Sequence, residues 1–237
     1  MKPAYKPVLC VVSSHPIKGA SGVPTGFFLA ELTHPLKVLE DAGIKTTIAS
    51  IRGGQPPVDG FDLSDPVNAW YWNETDFQQR LATTPALSEL KGADYSAVFF
   101  AGGHGTMWDF RDNQDAQRII REVYESDGIV SAVCHGPAAL VDAKLSSGEY
   151  LIKGKNVAAF RAGKRPSRAW CVLSCSSKLV CKRGYRRSPY HGAESRFSTW
   201  GWCGAVKCTP PDSLINSSLL TLLGRFKSAT IRPFFRS

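Results

Sequence analysis

Four short runs in the first two thirds of the chain are apolar or β-branched at consecutive rather than alternate positions: VLCVVS (8–13), TTIAS (46–50), YSAVFFAGG (95–103) and GIVSAVC (128–134). A strand apolar on both faces needs cover on both faces, a condition met by a parallel sheet with helices above and below it. The segments between the runs supply helices. TGFFLAELTHPLKVLEDAG (25–43) places Leu29, Leu32, Leu36 and Leu39 on one helical face, with Pro35 inside it, where a kink or short break is expected. DAQRIIREVYESDG (115–128) repeats the pattern with Ile119, Ile120, Val123 and Tyr124, and predicts Gly128 as the residue just past the helix end. Alternating strand and helix implies a doubly wound α/β domain, in which ligands gather beyond the carboxyl ends of the strands.

The chain of 237 residues is long enough for one such domain with a sizeable core. Its first twenty residues hold no long apolar segment, and no later stretch approaches a membrane span, so a soluble, cytoplasmic protein with reduced thiols is expected, a nuclear share included. The net charge of +9 suggests a nucleic-acid partner, but it is unevenly spread. Residues 1–160 carry 14 Lys and Arg against 18 Asp and Glu, whereas residues 161–237 carry 15 against 2. Five of the seven cysteines also lie in the second part. The two parts, 1–160 and 161–237, are therefore read separately.

Three features of the first part end at the carboxyl edge of the expected sheet. AGGHGTMWDF (101–110) follows a strand with Gly102 and Gly103, which let the backbone approach a ligand and aim N–H groups at an oxyanion, and with His104 beside them. AVCHGPAA (132–139) follows another strand. A nucleophile held in a strained turn needs small neighbours, and Ala132 and Gly136 stand two residues either side of Cys134. A helix starting there would favour thiolate, and His135 brings proton-transfer chemistry to the same corner. Glu31 lies on the leucine face of the first helix, where a carboxylate is costly without a partner. Each has a plainer explanation: Cys134 as core filler, His104 as a helix cap, Glu31 as a surface residue beside the leucines. Taken together they form the cysteine, base and carboxylate set of covalent catalysis, placed where this fold puts its sites.

PTGFFLAELTHPLKVLEDAG, AGGHGTMWDF and AVCHGPAAL resemble the PfpI superfamily, flavodoxin-like domains related to class I glutamine amidotransferases, over about residues 5–160. Within it they are similar to the branch of glutathione-independent glyoxalases and stress chaperones, also classed as D-lactate dehydratases. The resemblance implies a mostly parallel flavodoxin-like sheet and a site of Cys134, His135 and Glu31, with Gly103 and the His135 N–H as the oxyanion donors. It implies a small reactive aldehyde, methylglyoxal, as substrate, no metal or organic cofactor, no membrane, and a homodimer as one assembly. A chaperone or cysteine redox sensor, and an inactive truncated member, remain the alternatives. Amidotransfer needs a distal His and Glu after the cysteine, for which His191 and Glu194 offer no matching arrangement.

The resemblance stops after GKNVAAF (154–160), so the sheet is expected to be incomplete on its C-terminal side, with an unpaired edge. Residues 161–237 are rich in Arg, Ser, Cys and Trp, nearly without acids, and poor in helical periodicity. Shifting the frame of the degenerate codons for 163–183 permits an acidic start and then an apolar helical face, so this part reads as an out-of-frame or mis-spliced translation. Nucleic-acid binding by KRGYRRSPY and RFSTWGW lacks a fold to organise the charges. Zinc binding by Cys171, Cys175, Cys181 and His191 lacks paired knuckles, and SLLTLLGRF (218–226) suggests a short helix.

Overall fold

The structure, a computed structural model, describes residues 6–159, 171–174 and 206–208. The expected runs form the centre of the sheet: β1 (Val8–Val12), β3 (Thr46–Ser50), β7 (Ala97–Phe100) and β8 (Ile129–Ala132). Around them lie β2 (Phe27–Phe28), α1 (Leu29–Asp41), β4 (Arg52–Gly54), β5 (Val58–Asp59), α2 (Pro66–Asn73), α3 (Thr75–Ala82) and β6 (Thr84–Ala86). The described strands and α-helices are completed by α4 (Thr106–Asp109), α5 (Gln114–Glu125), β9 (Asn156–Ala159), β10 (Cys171–Ser174) and β11 (Val206–Cys208), with short 3₁₀ segments between some of them. The seven-stranded sheet has the order β11-β8-β7-β1-β3-β6-β4. Pairings from β8 through β6 are parallel, and the outer strands β4 and β11 are antiparallel. β11 pairs Val206 with Ala132 and Cys208 with Val130, so the β8 edge is not left bare as expected.

Consecutive strand residues divide between two cores, as the runs require. Leu9, Val11, Val98, Phe100, Val130 and Ala132 face α5, with its Ile119, Ile120 and Val123. Val8, Cys10, Val12, Ala97, Phe99 and Ile129 join the core of Leu29, Leu32, Leu36 and Leu39 from α1. Each fully buried Leu or Ile contributes about 1.5–3 kcal/mol. This burial explains why α1 continues through the buried Pro35 without the break that is the second of the two expected outcomes. Proline removes one backbone hydrogen bond, and the leucine face holds the turns either side of it.

The end of α5 also differs from expectation. Asp127, not Gly128, takes the left-handed conformation (φ 60°), and the Gly128 N–H closes the turn on Val123 O at 2.8 Å. Gly128 is the next residue of that capping motif, and a Cβ there would lie 2.6 Å from Val123 Cγ1. The segment 51–94, to which no element is assigned above, folds into α2, α3 and short strands. Its clearest local signal is Asp65, which caps α2 by accepting from the Val67 and Asn68 N–H groups, with Pro66 opening the helix.

The chain turns back between β1 and β7: β1 leads through α1 to β3 on one side, while β7 and β8 lie on the other. The loops leaving β1, β7 and β8 therefore meet at one crevice beyond the strand ends.

Candidate active site

β8 ends in a tight turn. Val133 O accepts the Gly136 N–H at 2.7 Å, and Cys134 stands at the turn's first corner with φ 57°. A non-glycine residue there stores about 1–3 kcal/mol of strain, which the surrounding structure must hold. Gly136 is required for closeness, since a Cβ on it would lie 2.4 Å from Phe100 O. The turn does not lead into the expected helix able to polarise the sulfur, but into a single 3₁₀ stretch of five residues, Gly136–Leu140.

Glu31 sits in the first turn of α1 and is 8 % exposed, like Cys134. It is not a surface residue. Gly102 lies between the two: a Cβ on it would be 2.3 Å from Glu31 Oε2 and 2.6 Å from Cys134 Cβ. Burial pushes the Glu31 carboxyl up to about 7, against the opposing pull of the Cys134 side chain and the Gly102 backbone. Oε2 completes no well-formed hydrogen bond among the described residues. Gly103 (φ 109°) presses the same loop onto β2, where a Cβ would meet Gly26 O at 2.3 Å and Phe28 N at 2.6 Å.

His135 points Nδ1 at Cys134 Sγ, 3.3 Å away. Burial, reinforced by His104 and Lys18 and opposed by Asp59, pulls its pKa down to about 3, so the ring is neutral over the physiological range. His104 does not cap α4, whose first flanking residue is Gly105. Its ring lies against His135, with centroids 4.8 Å apart and planes tilted by 36°. Its Nδ1 is 3.7 Å from Asp59 Oδ2. Burial opposes the Asp59 charge, but His104, the Thr25 hydroxyl (2.9 Å), the Gly60 N–H (2.8 Å) and Lys18 (3.6 Å) together hold it well below the usual carboxylate range.

The structure thus gathers Cys134, His135, Glu31, Gly102, Gly103 and His104 at one crevice. It adds two carboxylates that the sequence alone did not point to. Asp59 reaches the site on β5, which β2 pairs in parallel; its only sequence cue is the PPVDG turn. Asp109 accepts from Ser13 Oγ at 3.0 Å and from the Ser14 N–H at 2.7 Å, tying the loop after β1 to α4, and burial raises it to about 6. Cys10 shows the plainer fate of a core cysteine: in mid-β1, burial pushes its thiol up to about 12. Among the described residues no group of three or more His, Cys, Asp or Glu is placed to hold a metal ion, and no helix is long and apolar enough to cross a membrane. Cys175, Cys181, His191 and the 218–226 segment lie outside the described residues.

Similarity to known proteins falls on this same part of the chain. Glutathione-independent glyoxalase HSP31 of Saccharomyces cerevisiae is 32% identical over 167 residues, covering 65% of this chain and 68% of the yeast protein. Glyoxalase 3 of Candida albicans is 34% identical over 169 residues, with the same two coverages of 65% and 68%. The crystal structure of glyoxalase III from Candida albicans matches with a TM-score of 0.57 and 32% identity, over 62% of this chain and 64% of that one. Rapid Encystment Protein 24 KDa of Francisella tularensis matches with a TM-score of 0.63 and 36% identity, over 66% and 70%. The model of the DJ-1/PfpI family covers residues 23–157, more than half the chain and all of the crevice residues from Glu31 to His135, and the chain belongs to that family.

Proposed function

We propose that the chain is a glutathione-independent glyoxalase that converts methylglyoxal to lactate, the conversion assigned to D-lactate dehydratases, with Cys134 as nucleophile. The observation that carries this is the convergence of Cys134, His135 and Glu31, two of them with proton affinities moved far from their usual values. The names of the similar yeast proteins support the substrate class.

Cys134 adds to the aldehyde carbon, forming a C–S bond and a hemithioacetal, while the thiol proton passes to His135 Nδ1. The N–H groups of Gly103 and His135 receive the developing oxyanion. Abstraction of the proton on that carbon gives an enediol, and return of a proton to the neighbouring carbon gives the lactoyl thioester. Water then releases lactate and the thiol. Glu31, with its pKa at about 7, can both take and give a proton near neutrality. His135, held at about 3, is an acceptor that passes its proton on readily. Glu31 is therefore the more stable proton store of the two.

Methylglyoxal loss and lactate formation, measured without glutathione, test the proposal. Both should disappear in Cys134→Ala; equal rates in the variant would end it. Suppression of client aggregation that survives Cys134→Ala would instead assign a chaperone role to surface outside the crevice, such as the exposed Phe61 and Trp70.

A further inference from the structure

The groups that act on the sulfur and those that act on the imidazole are different. Glu31 and Gly102 flank Cys134. The His135 ring is faced by His104 from the loop after β7, Asp59 from β5 and Lys18 from the loop after β1. A base next to a nucleophile needs a third group to orient it and support its positive charge; Glu31 acts on the sulfur side, and the carboxylate whose charge acts on His135 is Asp59. His104 lies between His135 and Asp59, its ring 4.8 Å from one and its Nδ1 3.7 Å from the other. Asp59 is itself fixed by Thr25 and the Gly60 N–H, and the His104 backbone by the close approach of Gly103 to β2.

We propose that Asp59 is a positioning residue for His135: acting through His104, it holds the ring over Cys134 and supplies the negative charge that supports a proton arriving there. The pairing rests on the cysteine chemistry proposed above. When Cys134 attacks an electrophile, the S–C bond forms and the thiol proton moves to His135, making a buried cation. Asp59 is the carboxylate whose charge favours that cation, and Lys18 and a protonated His104 oppose it. Loss of the Asp59 charge therefore slows any reaction of this sulfur, whatever the substrate.

Alkylation of Cys134 by iodoacetamide, followed on its own peptide by mass spectrometry as a function of pH, reads this step without methylglyoxal. Asp59→Asn keeps the size of the side chain and removes the charge, but it keeps one acceptor oxygen where Asp59 offers Oδ2 to Thr25 and Oδ1 to the Gly60 N–H. Its alkylation rate near neutral pH should fall by about tenfold, the effect of one pKa unit, with the far-ultraviolet spectrum unchanged, and Asp59→Glu, which keeps both acceptors and the charge, should restore most of the loss. A side chain that only packs would leave Asp59→Asn at the wild-type rate, and a folded variant reacting at that rate overturns the proposal. The ¹⁵N spectrum of the wild-type protein tests it without any variant: His104 must carry its proton on Nδ1, facing Asp59, and a bare Nδ1 would overturn it equally. Wild-type protein that alkylates in this Asp59-dependent way but forms no lactate would end the glyoxalase proposal and leave the pairing standing. Lactate formation with alkylation indifferent to Asp59 would do the reverse.

Discussion

Glu31 Oε2 and Cys134 Cβ approach Gly102 from two elements so closely that a single methyl group there would lie 2.3 Å from the first and 2.6 Å from the second. The α1 carboxyl and the β8 corner are thus in register only because position 102 has no side chain. Gly102→Ala should push them apart by a fraction of an ångström to an ångström, a displacement that costs about a hundredfold in rate. Lactate formation should fall by that order with the far-ultraviolet spectrum unchanged; an alanine variant at wild-type rate would separate Glu31 from the chemistry.

Glu31 should destabilise the fold while serving the reaction. Its carboxyl binds a proton more tightly in the folded chain (about 7) than at the ordinary value of 4.5. Between those pH values folding takes up a proton, so this group's contribution to stability falls as pH rises. Relative to wild type, Glu31→Gln should gain stability across that interval, by up to about 3 kcal/mol, while losing about a hundredfold or more in turnover. Urea unfolding at several pH values checks the first and steady-state kinetics the second; a stability difference constant with pH would show that Glu31 ionises normally.

His135 should show the opposite slope. Its folded value of about 3 lies below the usual 6.5, so the unfolded chain holds the extra proton between them and stability rises with pH through that window. His135→Asn should therefore lose less stability than wild type on acidification from about 6.5 to about 3. The same unfolding series measures it, and parallel curves for the two proteins would place the imidazole in water.

Away from the site, Asp127 occupies a left-handed position that glycine adopts without strain, and its side chain is exposed. Asp127→Gly should stabilise the chain by a few tenths to about 1 kcal/mol. Gly128→Ala should destabilise it, because the methyl would strike Val123. A thermal melt of each variant decides both signs.

Much of this architecture is legible in the sequence because strands apolar on both faces admit few arrangements. β1, β3, β7 and β8, α1 and α5 derive from that, while the meeting of Cys134, His135 and Glu31 is legible from their residue types at the strand ends together with the family resemblance. Three departures have local causes. Pro35 carries an intrinsic helix-breaking weight, which the burial of four leucines overrides. Glycine is the usual occupant of a left-handed helix end, but here Asp127 takes that position and Gly128 avoids Val123. A full helix is expected after Cys134, where only Gly136–Leu140 turns, as a 3₁₀ stretch. Asp59 is hidden for another reason. It belongs to a two-residue strand, too short to show any periodicity, and the pairing of β2 with β5 carries it to the crevice.

The covalent step is tested most directly by stopping the protein with acid during methylglyoxal turnover and treating it with hydroxylamine. A lactoyl thioester on the Cys134 peptide, released by hydroxylamine as lactoyl hydroxamate and absent from Cys134→Ser, is the predicted result. Continued lactate formation with no hydroxylamine-sensitive adduct on Cys134 at any time of quenching would contradict it.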